Sequence, residues 1–299
     1  MSKVVICDVG PRDGLQNEKV ILEPSVRAEL VDRLALAGLP RIEAVSFVNP
    51  KLVPAMAGAE EVMQRVSRRP GVVYAGLVLN ERGYDRALAA GVDEIHLALT
   101  SSDAFGLRNQ NQTAEQGLEI AQTLIRRARV DGKRITVTLM VAFGDPFSGR
   151  VEAASVLGLV ERLLAAPPDE IAFADTIGVG VPSQVRTLVS GARSLGVEVV
   201  GVHLHNTRNT GYANALAALD AGATVFDASV GGTGGCPFAP RATGNIATED
   251  LVYMFEGMGV ETGISLERLI ATSEWLGQRM GKELPGMVAK AGAFEPVAS

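Results

Sequence analysis

Eight short apolar segments recur along this chain at intervals that leave room for a helix between most of them. They are Val4–Asp8, Arg41–Phe47, Val72–Val78, Glu94–Leu99, Ile135–Val141, Glu170–Ala174, Val199–His203 and Thr224–Ala228. Their β-branched content and their length favour strands. Helical patterns fall between them. Ser25–Ala37 carries Val26, Leu30, Val31 and Leu34 at the spacing of an amphipathic helix. Thr113–Arg129, Glu152–Ala165, Ser183–Leu195 and Asn209–Ala221 read in the same way. Alternating strands and helices predict a parallel sheet with right-handed crossovers. Eight such units in 299 residues predict an α/β fold, a closed (β/α)8 TIM barrel. An open doubly wound sheet is the alternative, but no strand–GxGxxG–helix unit stands near the N-terminus. Thr248–Met258 and Leu266–Met280 read as terminal helices. The expected organisation is therefore one domain over 1–299, with the barrel at about 3–247 and terminal helices at about 248–282. The tail, Pro285–Ser299, is expected to be poorly ordered.

Composition narrows the class of function. Net charge is -6 with both signs mixed along the chain, which gives no electrostatic case for nucleic acid or an anionic membrane surface. The start, MSKVVICDVG, lacks the apolar core of a signal peptide. No apolar run reaches the roughly 18 residues a membrane span requires. The two cysteines, Cys7 and Cys236, lie in an apolar strand and a Gly-rich loop. That pairing does not suggest a disulfide, and a cytoplasmic location is expected.

Chemistry concentrates at strand ends, where barrels place their active sites. The chain has three histidines, and two of them, His203 and His205, end the seventh strand. Residues i and i+2 of a strand share a face, so both imidazoles aim at one point, an arrangement suited to a divalent cation. Polar residues follow other strands. Gly10-Pro11-Arg12-Asp13-Gly14-Leu15-Gln16-Asn17-Glu18 follows the first. Glu43 and Ser46 lie in the second, and Asp175-Thr176 ends the sixth. Gly231–Pro237 follows the eighth, with Asn245 beyond it. Each alone has a plainer reading. Arg12-Asp13 reads as a surface ion pair, Glu43 as a solvated strand edge, Asp175 as a helix cap and the glycines as a flexible loop. Convergence at five strand ends is what argues for a site.

Five segments together resemble the 3-hydroxy-3-methylglutaryl-CoA lyase family. They are VGPRDGLQNE (Val9–Glu18), SFVNPKLVPAM (Ser46–Met56), DTIGVG (Asp175–Gly180), the H-x-H pair, and GGCPFAPRATGNIATEDLVYM (Gly234–Met254). The similarity runs from about Val4 to Gly263. RDG and H-x-H are shared with the wider metal-dependent TIM-barrel superfamily, which includes the isopropylmalate and homocitrate synthases. The resemblance implies that Asp13, His203, His205 and Asn245 ligate Mg2+ or Mn2+. Arg12 would stabilise an enolate at the thioester oxygen, and Cys236 would move a proton on a loop that its glycines let open and close. Glu43 and Asp175 would belong to the polar network around the substrate. Gln16, Lys19 and Ser46 are expected to contact it, with Lys19 at the CoA phosphates.

The implied reaction is retro-Claisen cleavage of 3-hydroxy-3-methylglutaryl-CoA to acetoacetate and acetyl-CoA, by a homodimer. Cleavage of another 3-hydroxy-3-carboxyalkyl acyl-CoA is a close variant. The chain departs from the lyase pattern at Asp8, where Glu is usual, and at Asn206, where Asp is usual. Arg208 replaces an aromatic residue, the Phe143–Pro146 turn lacks a cysteine, and Pro240-Arg241 is unusual. These changes surround the expected acyl site, so the reaction class is better fixed than the acyl group. A Claisen-condensing acyltransferase is the alternative, although such enzymes usually carry a C-terminal regulatory region. A non-catalytic ligand-binding barrel would have no need of the intact ligand set.

Overall fold

The computed structural model describes residues 4–235 and 244–294. Eight parallel strands close into a barrel: β1 (Val5–Asp8), β2 (Arg41–Ser46), β3 (Val73–Val78), β4 (Glu94–Thr100), β5 (Arg134–Met140), β8 (Glu170–Ala174), β9 (Val200–His203) and β10 (Val225–Ala228). β6 (Gly144–Asp145) and β7 (Gly149–Arg150) form a small antiparallel hairpin above β5. Neighbours around the barrel follow chain order, and β1 closes against both β2 and β10. The chain folds as a TIM barrel.

The helices wrap the outside. α1 (Pro24–Ala37) starts on a proline whose missing N–H costs nothing in the first turn, and it stops at Gly38 in the left-handed region. α5 (Ala114–Val130) opens with a capping box in which Thr113 and Gln116 satisfy each other's amides. α6 (Ala153–Leu163), α7 (Pro182–Ser194) and α8 (Gly211–Asp220) follow the expected periodicity. The helices α2 (Ala59–Arg65), α3 (Glu81–Ala89) and α4 (Asp103–Asn109) are shorter. After the barrel come α9 (Thr248–Gly257) and α10 (Leu266–Met280). Among the described residues, no helix is long and apolar enough to cross a membrane.

The apolar core lies between the barrel's outer face and this helical ring, where Ile42, Ile95, Leu97, Ile135, Val137, Ile171 and Val202 are all buried. The inner face is different. Branched aliphatic side chains usually fill it. Here small residues leave room for long charged ones. Arg41 meets Glu170 at 2.8 Å and Glu94 at 3.3 Å, and Thr136 donates to Glu94 at 2.7 Å. Gly201 sits beside this cluster, where a Cβ would come within 2.8 Å of Glu170 Oε1. A charged floor therefore closes the barrel below the site.

The tail differs from expectation as far as residue 294. The Gly286 amide donates to the Gly231 carbonyl, and Asp250 accepts the amides of Met287 and Val288. These bonds tie the short helix α11 (Val288–Ala291) to the barrel.

Candidate active site

The chain leaves β1 through one turn of π-helix over Gly10–Gly14. This wide turn carries Arg12 and Asp13 at the barrel mouth. Gly14 is required by close packing, since a Cβ there would come within 2.6 Å of Ser229 Oγ. On the far side, β9 delivers His203 as its last residue, and His205 follows two residues past the strand's end. Asn245 is brought in by a backbone bridge between His205 and Asn245 after the chain returns from the loop that follows β10.

These four side chains meet. His203 Nε2 and His205 Nε2 lie 3.2 Å apart, and His203 Nε2 lies 3.7 Å from Asp13 Oδ2. Ligand atoms of Asp13, His203 and His205 all fall within 4.8 Å of one another. The Asn245 Nδ2 donates to Asp13 Oδ2 at 2.9 Å and to the Thr233 carbonyl at 3.0 Å, which holds the amide against the cluster. Asp227, on β10, accepts from His203 Nδ1 at 3.2 Å. That bond puts the His203 proton on Nδ1 and turns the Nε2 lone pair towards His205. The facing Nε2 atoms can share one proton in a hydrogen bond or turn both lone pairs to a cation. The donor set, two nitrogens with carboxylate and amide oxygens, fits a divalent cation.

The electrostatics suit that role. Burial would raise the Asp13 carboxyl, but the Arg12 guanidinium and the two imidazoles hold it down to about 2. Burial and neighbouring His203 push His205 down to about 4, so its ring is neutral at physiological pH. Burial opposes charge on His203 as well, but Asp227 and Asp13 outweigh it and raise its pKa.

Arg12 stands beside the cluster, its guanidinium fixed on two sides. Its Nη1 donates to Asp13 Oδ1 at 2.8 Å, and its Nε donates to Glu43 Oε2. Glu43 is 2% exposed and lies inside the barrel, not at a solvated edge. Its other oxygen meets His96 Nδ1 at 2.9 Å. Arg12, Asp13, Glu43, His203, His205 and Asp227 line the polar end of a cavity of about 190 Å3 at the barrel mouth. Val48, Val53 and Leu77 form its apolar wall. That wall continues through Leu79, Asn109 and Gln110 into a groove of about 730 Å3 bearing Lys51, Arg82 and Arg108.

The other expected site residues are placed differently from one another. Gln16 lines the cavity. Asp175 does not: its carboxylate accepts the amides of Val179 and Gly180 and holds the turn into α7, while its own amide donates to the His203 carbonyl. Ser46 is fully buried and its hydroxyl has no hydrogen-bond partner. Lys19 is exposed and is not on the cavity wall. Cys236, like Pro240 and Arg241, lies outside the described residues. Of the departures from the lyase pattern, Asp8 is buried and accepts from the Gly10 amide and the Thr248 hydroxyl. Arg208 donates to the carbonyls of Ile177 and Gly178, which braces the same turn that Asp175 holds. Sequence reasoning did not single out Asp227 or His96. The available signal was the i, i+2 alternation of Glu94 with His96, and the position of Asp227 in the eighth strand.

The family model described as HMGL-like matches residues 3–276. The chain belongs to that family. It is 46% identical to (R)-citramalyl-CoA lyase of Chloroflexus aurantiacus, over 99% of this chain and 97% of that one. It is 39% identical to the mitochondrial hydroxymethylglutaryl-CoA lyase of Bos taurus, over 97% of this chain and 89% of that one. Among solved structures, an HMG-CoA lyase from Acinetobacter baumannii in complex with coenzyme A and 3-methylmalate superposes with a TM-score of 0.93. It is 39% identical and covers 99% of this chain and 98% of its own. The protein is a carbon–carbon lyase.

Proposed function

We propose that this lyase carries out divalent-metal-dependent retro-Claisen cleavage of a 3-hydroxy acyl-CoA that bears a second carboxylate. The observation that carries the reading is the convergence of Asp13, His203, His205 and Asn245 beside a doubly anchored Arg12. A divalent cation held by those four residues supplies Lewis-acid polarisation of the substrate hydroxyl, lowering the pH at which its proton leaves.

As that proton passes to a base on the polar wall of the cavity, the C3–O electrons form a carbonyl and the C2–C3 bond breaks. The bond's electron pair passes to C2 and is shared with the thioester oxygen as an enolate. Arg12 answers that developing charge. Two of its nitrogens are already committed to Glu43 and Asp13, so the guanidinium is preorganised and its remaining donor faces the cavity. Cys236 returns a proton to C2 and completes acetyl-CoA, a role suited to a thiol whose ordinary pKa is about 8.5. Asp227 keeps the His203 tautomer, and Asp175 and Arg208 hold the adjoining turn. Lys51, Arg82 and Arg108 give the neighbouring groove the positive charge that CoA phosphates require.

For the acyl group, the higher identity to a citramalyl-CoA lyase favours a 3-carboxy-3-hydroxy acyl chain, cleaved to pyruvate and acetyl-CoA. The hydroxymethylglutaryl group, cleaved to acetoacetate, is the second reading and is favoured by the five shared motifs and by 39% identity to the mitochondrial enzyme. A Mg2+-supplemented assay over both thioesters, reading keto acid and acetyl-CoA, separates them. Pyruvate formed with the higher kcat/KM upholds the first and acetoacetate the second. Cleavage of neither thioester overturns the lyase reading of the site.

A further inference from the structure

The third histidine of the chain sits inside the barrel, one layer below the cavity. His96 points its Nδ1 at Glu43 Oε1, 2.9 Å away, and its Nε2 at Glu94 Oε1, 3.5 Å away. All three side chains are at most 4% exposed. The Nδ1 contact is a hydrogen bond in which the ring donates, because a carboxylate only accepts, whereas Nε2 makes no hydrogen bond and faces Glu94 at 3.5 Å through charge alone. The charge pattern agrees. From the mouth downward the groups in contact run Arg12, Glu43, His96, Glu94, Arg41 and Glu170. With a charged His96 the column alternates in sign, and Arg134 lies 3.6 Å from the other oxygen of Glu94. With a neutral ring Glu43 and Glu94 would lose a cationic neighbour they share in a low-dielectric interior. Burial by itself would disfavour the imidazolium, but the two carboxylates outweigh it and push His96 up to about 10.

Glu43 has one oxygen on Arg12 and the other on His96. A carboxylate held at both oxygens cannot rotate, and Arg12 takes its orientation from it. We propose that His96 is a positioning residue of the lyase reaction: it clamps Glu43 from below and so aims the Arg12 guanidinium at the oxygen on which charge develops. The inference rests on the reading of Arg12 as the enolate-stabilising group. His96 does not line the cavity, so it acts only through Glu43.

The test compares Arg12→Met, Glu43→Gln, His96→Leu, His96→Gln and the Glu43→Gln/His96→Leu double variant, each for kcat, KM, Mn2+ affinity and thermal midpoint. A misplacement of about 1 Å at a reacting centre can cost roughly 100-fold. His96→Leu should therefore lower kcat by roughly 10- to 100-fold with KM and Mn2+ affinity little changed. His96→Gln, which keeps one donor for Glu43, should recover part of that loss. The double variant should be no slower than Glu43→Gln alone. Wild-type kcat in a His96→Leu protein of lowered thermal midpoint would make His96 structural and overturn the proposal, as would additive losses in the double variant. If Arg12→Met itself leaves kcat intact, the functional reading fails first, whatever His96 does. Should the His96 variants not fold, the imidazole 15N resonances of the wild-type protein at pH 8 decide. A proton on Nδ1 upholds the clamp, and an unprotonated Nδ1 overturns it.

Discussion

Replacing Arg12 by methionine removes a charge while keeping a side chain of similar length. The structure sets the expected size of the effect. One preorganised donor at a developing oxyanion is worth about 2.7–4 kcal/mol, or roughly 100- to 1,000-fold in kcat. Arg12 meets the condition for the upper part of that range, because Glu43 and Asp13 fix it before substrate arrives. The loss should not come from the cation site. Without Arg12 the Asp13 carboxyl rises from about 2 towards its ordinary 3.8, still far below neutral pH, so it stays ionised and able to ligate. Nor should it come from unfolding, because Glu43 keeps His96 as a partner. The assay is acetyl-CoA release at saturating substrate and a series of Mg2+ concentrations. The expected result is a fall in kcat of at least about 100-fold, matched in kcat/KM and unaffected by more Mg2+. Arg12→Lys should lie between, since one ammonium cannot serve two carboxylates and an oxyanion together. An intact kcat with a raised KM would make Arg12 a binding residue. A loss reversed by excess Mg2+ would make it a support for the cation site. Either result refutes the reasoning.

Arg41→Met should cost about 3–5 kcal/mol of stability, read by urea unfolding, because it strands Glu170 in the barrel floor. A loss below about 1 kcal/mol would mean that the floor is solvated or that Glu170, whose pKa burial raises, has taken up a proton at little cost. In the metal-free protein His205 should titrate near pH 4, followed by its ring resonances. Its folded pKa lies below the ordinary 6.5, so the stability it contributes is fully present above pH 6.5 and is lost as pH falls through about 4. A midpoint near 6.5 would contradict the buried, His203-facing placement. Cys236→Ser should slow turnover strongly without changing folding stability. Cys236 should be alkylated in the absence of substrate, whereas Cys7, fully buried with its thiol pKa pushed up, should not.

The barrel was legible in the sequence because each strand is an apolar run bounded by polar or glycine-containing turns. Arg41–Ser46, Glu94–Thr100 and Glu170–Ala174 all lie where the pattern puts them, within a residue at either end. The ends of β1 and β9 were equally readable, and with them Arg12, Asp13 and the histidine pair. The side of the strand was not. Alternation says that Arg41 and Glu43 share a face, as do Glu94 and His96, but not whether that face is wet. Closure of the sheet makes it the interior, and only then does Glu43 become the link between Arg12 and His96. Asp175 stands off the cavity wall for a local reason: amides four and five residues on capture its carboxylate. The tail to residue 294 was misjudged because composition cannot foresee that Asp250 accepts two of its amides.

The most direct test of the account is acetyl-CoA formation by chelator-treated protein, before and after Mg2+ or Mn2+ is returned, with His205→Ala in parallel. The account predicts no product from the stripped protein, recovery with one cation per chain, and no recovery in His205→Ala. Undiminished acetyl-CoA formation by the stripped protein would contradict it.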